Sequence, residues 1–417
     1  MNLPKFLGLS AIALLAALSW IVWPIYGFYA HQGEAPFPPW GWMSLPTETP
    51  SKQNLHDDRY AAPGARVLAA MKEHRQVIGA PAMTAAVAID SEVVWEGAVG
   101  WADIKTQRPA STKTTFLVGS TSKAITSTAL ARLVESGLID LDTPISNYLT
   151  ELPNEAWASI TPRMLASHMA GVPHYGDNED LLGYYQTGAL RRHYSDVRDA
   201  VTIFDDSPLL FEPGTSFEYS SLGTVLLGAV MSEAAGKPYR AVIEDEVILS
   251  SNMASTIVAP KRADTDNDHA TPYFFNGERY RSWRPVDLSH RLPGGGWAST
   301  STDLVRMGVK WLDDSYISKQ TRAIFWTPQS LAFGEINEQN YAIGWRWREY
   351  DVDGVGLARN ANHGGVSRGA QSWLLIFPDY KMAIAFNINS NTSEFQQFAI
   401  FFDDIFREFA LAIELNE

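Results

Sequence analysis

The stretch "LVGSTSKAITSTALARLVESG", residues 117–137, reads as the start and body of a helix with a single cation in its first turn. Gly137 stands where helices commonly end, because glycine enters the left-handed C′ conformation without steric penalty. Ser120 is a favoured N-cap, its oxygen able to accept a backbone N–H of the first turn. Lys123 fits that reading badly. A capping box calls for Glu or Gln three residues after the cap, and a cation there meets the positive end of the helix macrodipole. Phe116, Leu117, Val118, Ala124 and Ile125 make the surroundings apolar, so burial and the dipole both disfavour an ammonium. Residues three apart share a helix face, which sets the amine beside the Ser120 hydroxyl. A neutral amine beside a hydroxyl is a nucleophile with its base.

The rest of the chain sets bounds on that chemistry. At 417 residues it can bury a large core, and 46% hydrophobic against 19% charged residues marks a globular protein. The net charge of −14 opposes phosphate backbones and argues against a nucleic-acid partner. The absence of cysteine removes disulfides, thiolate catalysis and cysteine-ligated metals, so a hydrolytic nucleophile must be an oxygen or an amine.

From Phe6 to Tyr29 no residue is charged, and Lys5 lies on the near side. At 1.5 Å per residue such a run spans about 30 Å of hydrocarbon, even with a kink at Pro24. Trp20, Trp23, Tyr26 and Tyr29 suit the far interface, and the basic near end predicts an N-terminus inside and a body outside. Residues 1–32 therefore read as a single-pass inner-membrane anchor with the catalytic domain facing the periplasm. A cleaved signal, leaving a secreted protein, is the rival reading, although the run is long for one. Residues 33–53 hold five prolines and no helical or strand periodicity, as a linker does, and 54–417 form the main domain.

Within that domain, helical spacing runs from Ala62 to Val77. The strands "MTAAVAID" and "EVVWEGAVGWAD" then meet across Asp90 and Ser91 as a hairpin. The middle, 138–330, mixes helices with long loops. Strand patterns return from Tyr341 in "YAIGWRWREY", "GVGLARNANHGG", "SWLLIFPDY" and "MAIAFNINS", before a last helix over 394–415. The pattern predicts an α/β (α+β) fold: one antiparallel sheet built from both chain ends, flanked by helices, with a mostly helical insert. The stripe Phe398, Phe401, Phe402, Ile405, Phe409 is the apolar face of that helix, packed on the sheet.

Two further segments complete the Ser120–Lys123 pair. In "PGTSFEYSSLGTVLLG", 213–228, Tyr219 ends an extended segment before an apolar helix. "NHGGVSRG", 362–369, precedes the strand beginning at Ser372. S-x-x-K, Y-x-S and H-x-G in that order resemble the motifs of the beta-lactamase and penicillin-binding-protein superfamily. Within it the chain is most similar to class C-like serine hydrolases, especially the serine beta-lactamase-like proteins. "LARLVESGLIDLDTPISNYLTELP", "ITPRMLASHMAGVPHY" and "PGGGWASTSTDL" carry the likeness further, over about 63–410.

The resemblance implies a beta-lactamase/transpeptidase-like fold and an acyl-enzyme mechanism without metal or cofactor. It makes Ser120 the acylated nucleophile and Lys123 its base. Tyr219 becomes the proton shuttle, a role that suits a phenol whose pKa a nearby ammonium lowers. Ser221, His363, Gly364 and Gly365 line the substrate site, and the backbone N–H groups of Ser120 and Val366 form the oxyanion hole. Three departures bear on substrate. Ser221 stands where many relatives carry Asn, Gly364 where penicillin-recognising members often carry Thr, and His363 where they carry Lys. The hydroxyl and cation that hold a beta-lactam carboxylate are thus absent from those positions, which shifts the expectation to peptides, D-amino-acid peptides or esters. Arg368 is a candidate contact for an acidic substrate group. Relatives also imply an oligomer or filament, and a scaffold without turnover on the same fold is the alternative.

Other patterns are weaker. "GVSRG", 365–369, matches the nucleophile elbow G-x-S-x-G, but that elbow needs a helix after it and a strand follows Ser367. His168, His174 and Asp177 lack metal-ligand spacing and read as a loop stapled by hydrogen bonds. Glu212 and Asp205 read as solvated.

Overall fold

The computed structural model describes residues 3–260 and 268–416. Seven strands build the central sheet: β1 (Ser51–Leu55), β2 (Ala82–Ile89), β3 (Glu92–Asp103), β4 (Arg346–Val352), β5 (Gly356–Ser367), β6 (Ala370–Phe377) and β7 (Met382–Ile388). Every pairing is antiparallel, in the order β1-β3-β2-β7-β6-β5-β4, and Arg108–Pro109 adds a short eighth strand on β3. The two chain ends meet in the middle of the sheet, where Met382 faces Ile89 and Ile388 faces Met83. Asp90 and Ser91 close the β2–β3 hairpin with φ of 50° and 72°, the left-handed pair that a two-residue turn requires.

The principal helices are α1 (Leu3–Ala30), α2 (Ala61–Val77), α3 (Ser122–Glu135), α4 (Leu181–Ala189), α5 (Ser221–Ala235), α6 (Ser301–Lys310), α7 (Phe395–Ala399) and α8 (Phe402–Asn416). They cover both faces of the sheet. On one face Val67 and Met71 of α2 join Phe398, Phe401, Phe402, Ile405 and Phe409 in a core against β2, β6 and β7. On the other, Ile125 and Leu130 of α3, Val225 of α5 and Leu304 of α6 form the larger core with Ala86, Leu374 and Ile376. Residues of β2, β6 and β7 are accordingly buried on both faces.

Three boundaries differ from the sequence reading. Ser51–Gln53, taken as the end of the linker, pair with Gly97–Val99 as part of edge strand β1. All but Leu55 of its residues are polar and its first three are exposed, so no apolar alternation marks it. The strand expected from Tyr341 starts only at Arg346, because Tyr341–Trp345 form a buried turn. The last helix is two helices, α7 and α8, separated at Ile400 and Phe401. Residues 261–267 of the long loop after 260, and the side chain of Lys5, lie outside the described part.

Within α1, Leu9–Ala30 is long and apolar enough to cross a membrane. Pro24 has no N–H to give the carbonyl four residues back. That carbonyl, Trp20 O, accepts instead from Arg191 at 2.8 Å, and Tyr185 of α4 donates to Ile21 O at 3.1 Å. The end of α1 is thus fastened to the domain. Further on, Phe28 lies 4.5 Å from the Arg368 guanidinium and the His31 ring stacks on Trp283 at 4.0 Å.

Candidate active site

The Ser120 turn and strand β5 meet backbone against backbone. Gly119, Ser120 and Thr121 form a 3-10 turn ahead of α3, so Ser120 precedes the helix rather than capping it. Gly119 has φ of +51°, and a Cβ on it would lie 2.5 Å from Val366 O. A Cβ on Gly365 would lie 1.9 Å from Val118 O and 2.8 Å from Ser120 N. Only glycine permits this approach, which brings the backbone of Ser120 beside that of Val366. Thr121 fixes the contact by donating to His363 O at 3.2 Å and Ser372 O at 3.3 Å.

Lys123 points from the first turn of α3 into this contact and is 2% exposed. Its Nζ is 2.8 Å from Gly294 O, 2.9 Å from Ser221 Oγ and 3.3 Å from Ser120 Oγ. Burial pushes the amine down to about 7, with Arg346 and Arg291 adding to the effect against an opposing contribution from Tyr175. A neutral amine has two N–H groups and one lone pair. Gly294 O and Ser221 Oγ accept the N–H groups, which leaves the lone pair for the Ser120 proton.

Tyr219 lies over the pair, its ring centroid 4.8 Å from Lys123 Nζ. Its titration runs opposite to the sequence expectation. Burial raises the phenol above its ordinary value, and Arg346 and a hydrogen bond with Ser120 only partly oppose this. The lysine faces the ring rather than the hydroxyl, so it does not generate a phenolate; Tyr219 is a neutral hydroxyl able to pass a proton on. Two histidines hold this segment in place. His168 Nδ1 accepts from Ser220 N at 3.3 Å and His174 Nδ1 from Ser221 N at 3.1 Å. Burial keeps both rings neutral, His174 at about 3. The loop is stapled by histidine hydrogen bonds, and Asp177 takes no part in those two bonds.

His363 does not line the site as the sequence suggested. It is fully buried behind β5, with Nε2 2.8 Å from Tyr341 Oη and Nδ1 2.8 Å from Gly364 O. Gly365 is likewise buried in the contact with Val118. Ser120, Tyr219, Ser221, Gly364 and Val366 do line a cavity of about 580 Å³. Ser367, the elbow candidate, is buried at the end of β5 and outside that cavity. Sequence reasoning missed Arg291, Arg346, Arg348, Tyr175, Trp373 and Phe395 on the cavity wall. The alternation in "RWR" signals that Arg346 and Arg348 share a strand face, but does not say which face meets the serine. Among the described residues one group of carboxylates, Asp180, Asp205 and Asp206, is close enough to share a metal ion, and none of them borders the cavity. Asp205, expected to be solvated, is half-buried there.

A serine, a buried lysine and a tyrosine gathered where an antiparallel sheet meets a helical region define the class of penicillin-recognising and related serine hydrolases. The beta-lactamase family profile matches residues 67–403, and the chain belongs to that family. It is 26% identical over 383 residues to the mitochondrial serine beta-lactamase-like protein LACTB of Homo sapiens, covering 72% of this chain and 70% of that one. It is 24% identical over 328 residues to penicillin-binding protein 4* of Bacillus subtilis (strain 168), covering 75% and 69%. The D-amino acid amidase of Ochrobactrum anthropi SV3 shares the fold, with TM-score 0.68 and 19% identity over 85% of this chain and 100% of the amidase.

Proposed function

We propose that the protein is a membrane-anchored serine hydrolase that cleaves an amide or ester through an acyl-enzyme. The observation that carries this is the buried Lys123 amine, 3.3 Å from Ser120 Oγ with a pKa of about 7. Lys123 takes the Ser120 proton as Oγ attacks the carbonyl, and the backbone N–H groups of Ser120 and Val366 hold the oxyanion. Tyr219 relays the proton to the leaving group, after which water enters by the reverse route. Ser221, shorter than asparagine, still reaches the lysine and fixes its direction. The chain's own residues suffice for each step, and substrates are peptides, D-amino-acid peptides or esters. Beta-lactams fit less well, because Gly364 offers no hydroxyl and His363 is buried behind the strand.

The docking of α1 through Arg191, Tyr185 and Phe28 supports a retained anchor over a cleaved signal, since cleavage would strip these side chains of their partners. The domain then lies on the far side of an inner membrane from the N-terminus. A fluorophosphonate probe tests the chemistry: it labels Ser120 in wild type and not in Ser120→Ala. A wild-type protein that stays unlabelled where a working relative reacts would favour the scaffold reading.

A further inference from the structure

The cavity around Ser120 holds four arginines and, among the described lining residues, no Asp or Glu. They form two groups. Arg346 and Arg348 sit two apart on β4, paired in register with Asn362 and Asn360 of β5. Arg291 and Arg368 sit at the other end, Arg368 directly after the last residue of β5. Along β5 the Ser120 turn meets Gly365, a position between Asn362, the partner of Arg346, and Arg368.

None of the four is paired with a carboxylate among the described residues. Arg59, Arg163 and Arg198 elsewhere sit on Asp57, Asp142 and Asp196. Arg346 binds the neutral amide of Gln339 at 2.8 Å and stacks over Tyr341 at 4.9 Å. Arg291 is 8% exposed, lies 5.6 Å from the Tyr175 ring, and its Nε is buried without a hydrogen-bond partner. The Nε of Arg368 is equally unpartnered. Burial lowers Arg368 to about 9 with Arg291 adding to it, and burial lowers Arg348, with Tyr350 opposing and Arg346 adding. Each group therefore places two guanidinium groups near one another in a partly desolvated wall, Arg291 acting on Arg368 and Arg346 on Arg348. A chain with net charge −14 that sets no counterion against these four among the described residues holds a place for one brought by a ligand.

We propose that the substrate carries anionic groups on both sides of the bond that Ser120 attacks, one held by Arg346 and Arg348 and the other by Arg291 and Arg368. The inference rests on the hydrolase reading for its reaction and on the arginine walls for its specificity. Carboxylates suit the guanidinium forks, which bind them in bidentate fashion.

The test uses the full chain in detergent and matched aryl esters, p-nitrophenyl for the first pair and 4-carboxyphenyl for the second. A hemiglutarate is compared with a butyrate, and a 4-acyloxybenzoate with its methyl ester. The anionic partner of each pair is expected to show a kcat/KM higher by about 10- to 100-fold, the range for a hydrogen bond to a charged group. The preference falls as salt rises. Arg348→Gln narrows the ratio for one pair of esters and Arg368→Gln for the other, with circular dichroism and thermal unfolding checking that both variants fold. Equal turnover of anionic and neutral esters, or ratios that neither variant moves, would overturn the proposal. A separate arm measures glutarate binding to Ser120→Ala by calorimetry. Binding that the arginine variants abolish, in a protein whose wild type takes no fluorophosphonate, would sink the hydrolase reading and leave the anion site standing. No binding and no anionic preference in a protein that labels normally would sink the anion site alone.

Discussion

Lys123 Nζ sits 2.8 Å from the Gly294 carbonyl and 3.3 Å from Ser120 Oγ. The carbonyl ties up one N–H and so turns the lone pair toward the serine. Only the neutral amine can act as base, and its pKa is lowered to about 7. Acylation of Ser120 is therefore expected to rise with pH through about 7 and level off above it. Fluorophosphonate labelling rates between pH 5 and 9 measure this, and a flat profile would remove Lys123 as the base. Lys123→Met should slow labelling by about 100-fold or more.

The same shift has a stability consequence of the opposite sense. A lysine whose folded pKa lies below its unfolded value destabilises the fold fully below about pH 7, and the penalty fades as pH approaches the unfolded value. Lys123→Met is expected to raise the unfolding temperature most at pH 6 and little at pH 10. The gain at pH 6 is on the order of 1 kcal/mol or more. Thermal unfolding at the two pH values decides it; destabilisation at pH 6 would mean that the ammonium is compensated in a way these contacts do not show.

Gly365→Ala places a methyl 1.9 Å from Val118 O, backbone that cannot move without displacing Ser120. Loss of about 3 kcal/mol or more of stability, or loss of labelling in whatever folds, is expected. Chemical denaturation with a parallel labelling assay measures both. A variant that folds and labels normally would show that the Ser120 turn and β5 do not need this contact.

Tyr341→Phe removes the partner of His363 Nε2 in a fully buried pair. An unsatisfied buried ring nitrogen costs about 1–3 kcal/mol, which urea titration resolves. Since His363 lies behind the strand, KM for any ester is expected to change far less than stability does.

Arg191→Ala with Tyr185→Phe removes the donors to Trp20 O and Ile21 O in the turn of α1 before Pro24. Limited proteolysis should then cut within residues 31–50 faster than in wild type, while the folded domain survives. Equal rates would show that α1 is held by other contacts.

Much of this was legible in the chain because the informative residues are local. Asp90 and Ser91 mark their turn between two apolar runs, Gly137 ends its helix with φ of 72°, and Lys123 is conspicuous in the first turn of its helix. Edge strand β1 was not legible, since "SKQNL" meets solvent on most of its length and has no apolar rhythm. The place of His363 was hidden for the reverse reason. Helices cover both faces of the sheet, so five of the seven residues from Ala358 to Gly364 are buried, and alternation cannot say which side chain faces the serine. The Tyr219 phenol was misjudged because burial, which the local sequence does not reveal, raises it by more than Arg346 and the Ser120 hydrogen bond lower it. The arginine walls are assembled from three distant segments, and no single segment shows that carboxylates are missing around them.

The glycine contact between Gly119, Gly365 and the backbone of Ser120 and Val366 divides the labour of the site. In the proposed reaction the groups that would hold the oxyanion are peptide N–H groups, set by the close approach at Gly119 and Gly365 and not by side chains of the cavity wall. The arginines stand on β4, on the turn after β5 and ahead of Gly294, and none is among the nearest atoms that a Cβ on Gly119 or Gly365 would meet. A designer who wants new selectivity can therefore treat the wall as an exchangeable cassette around a fixed chemical engine.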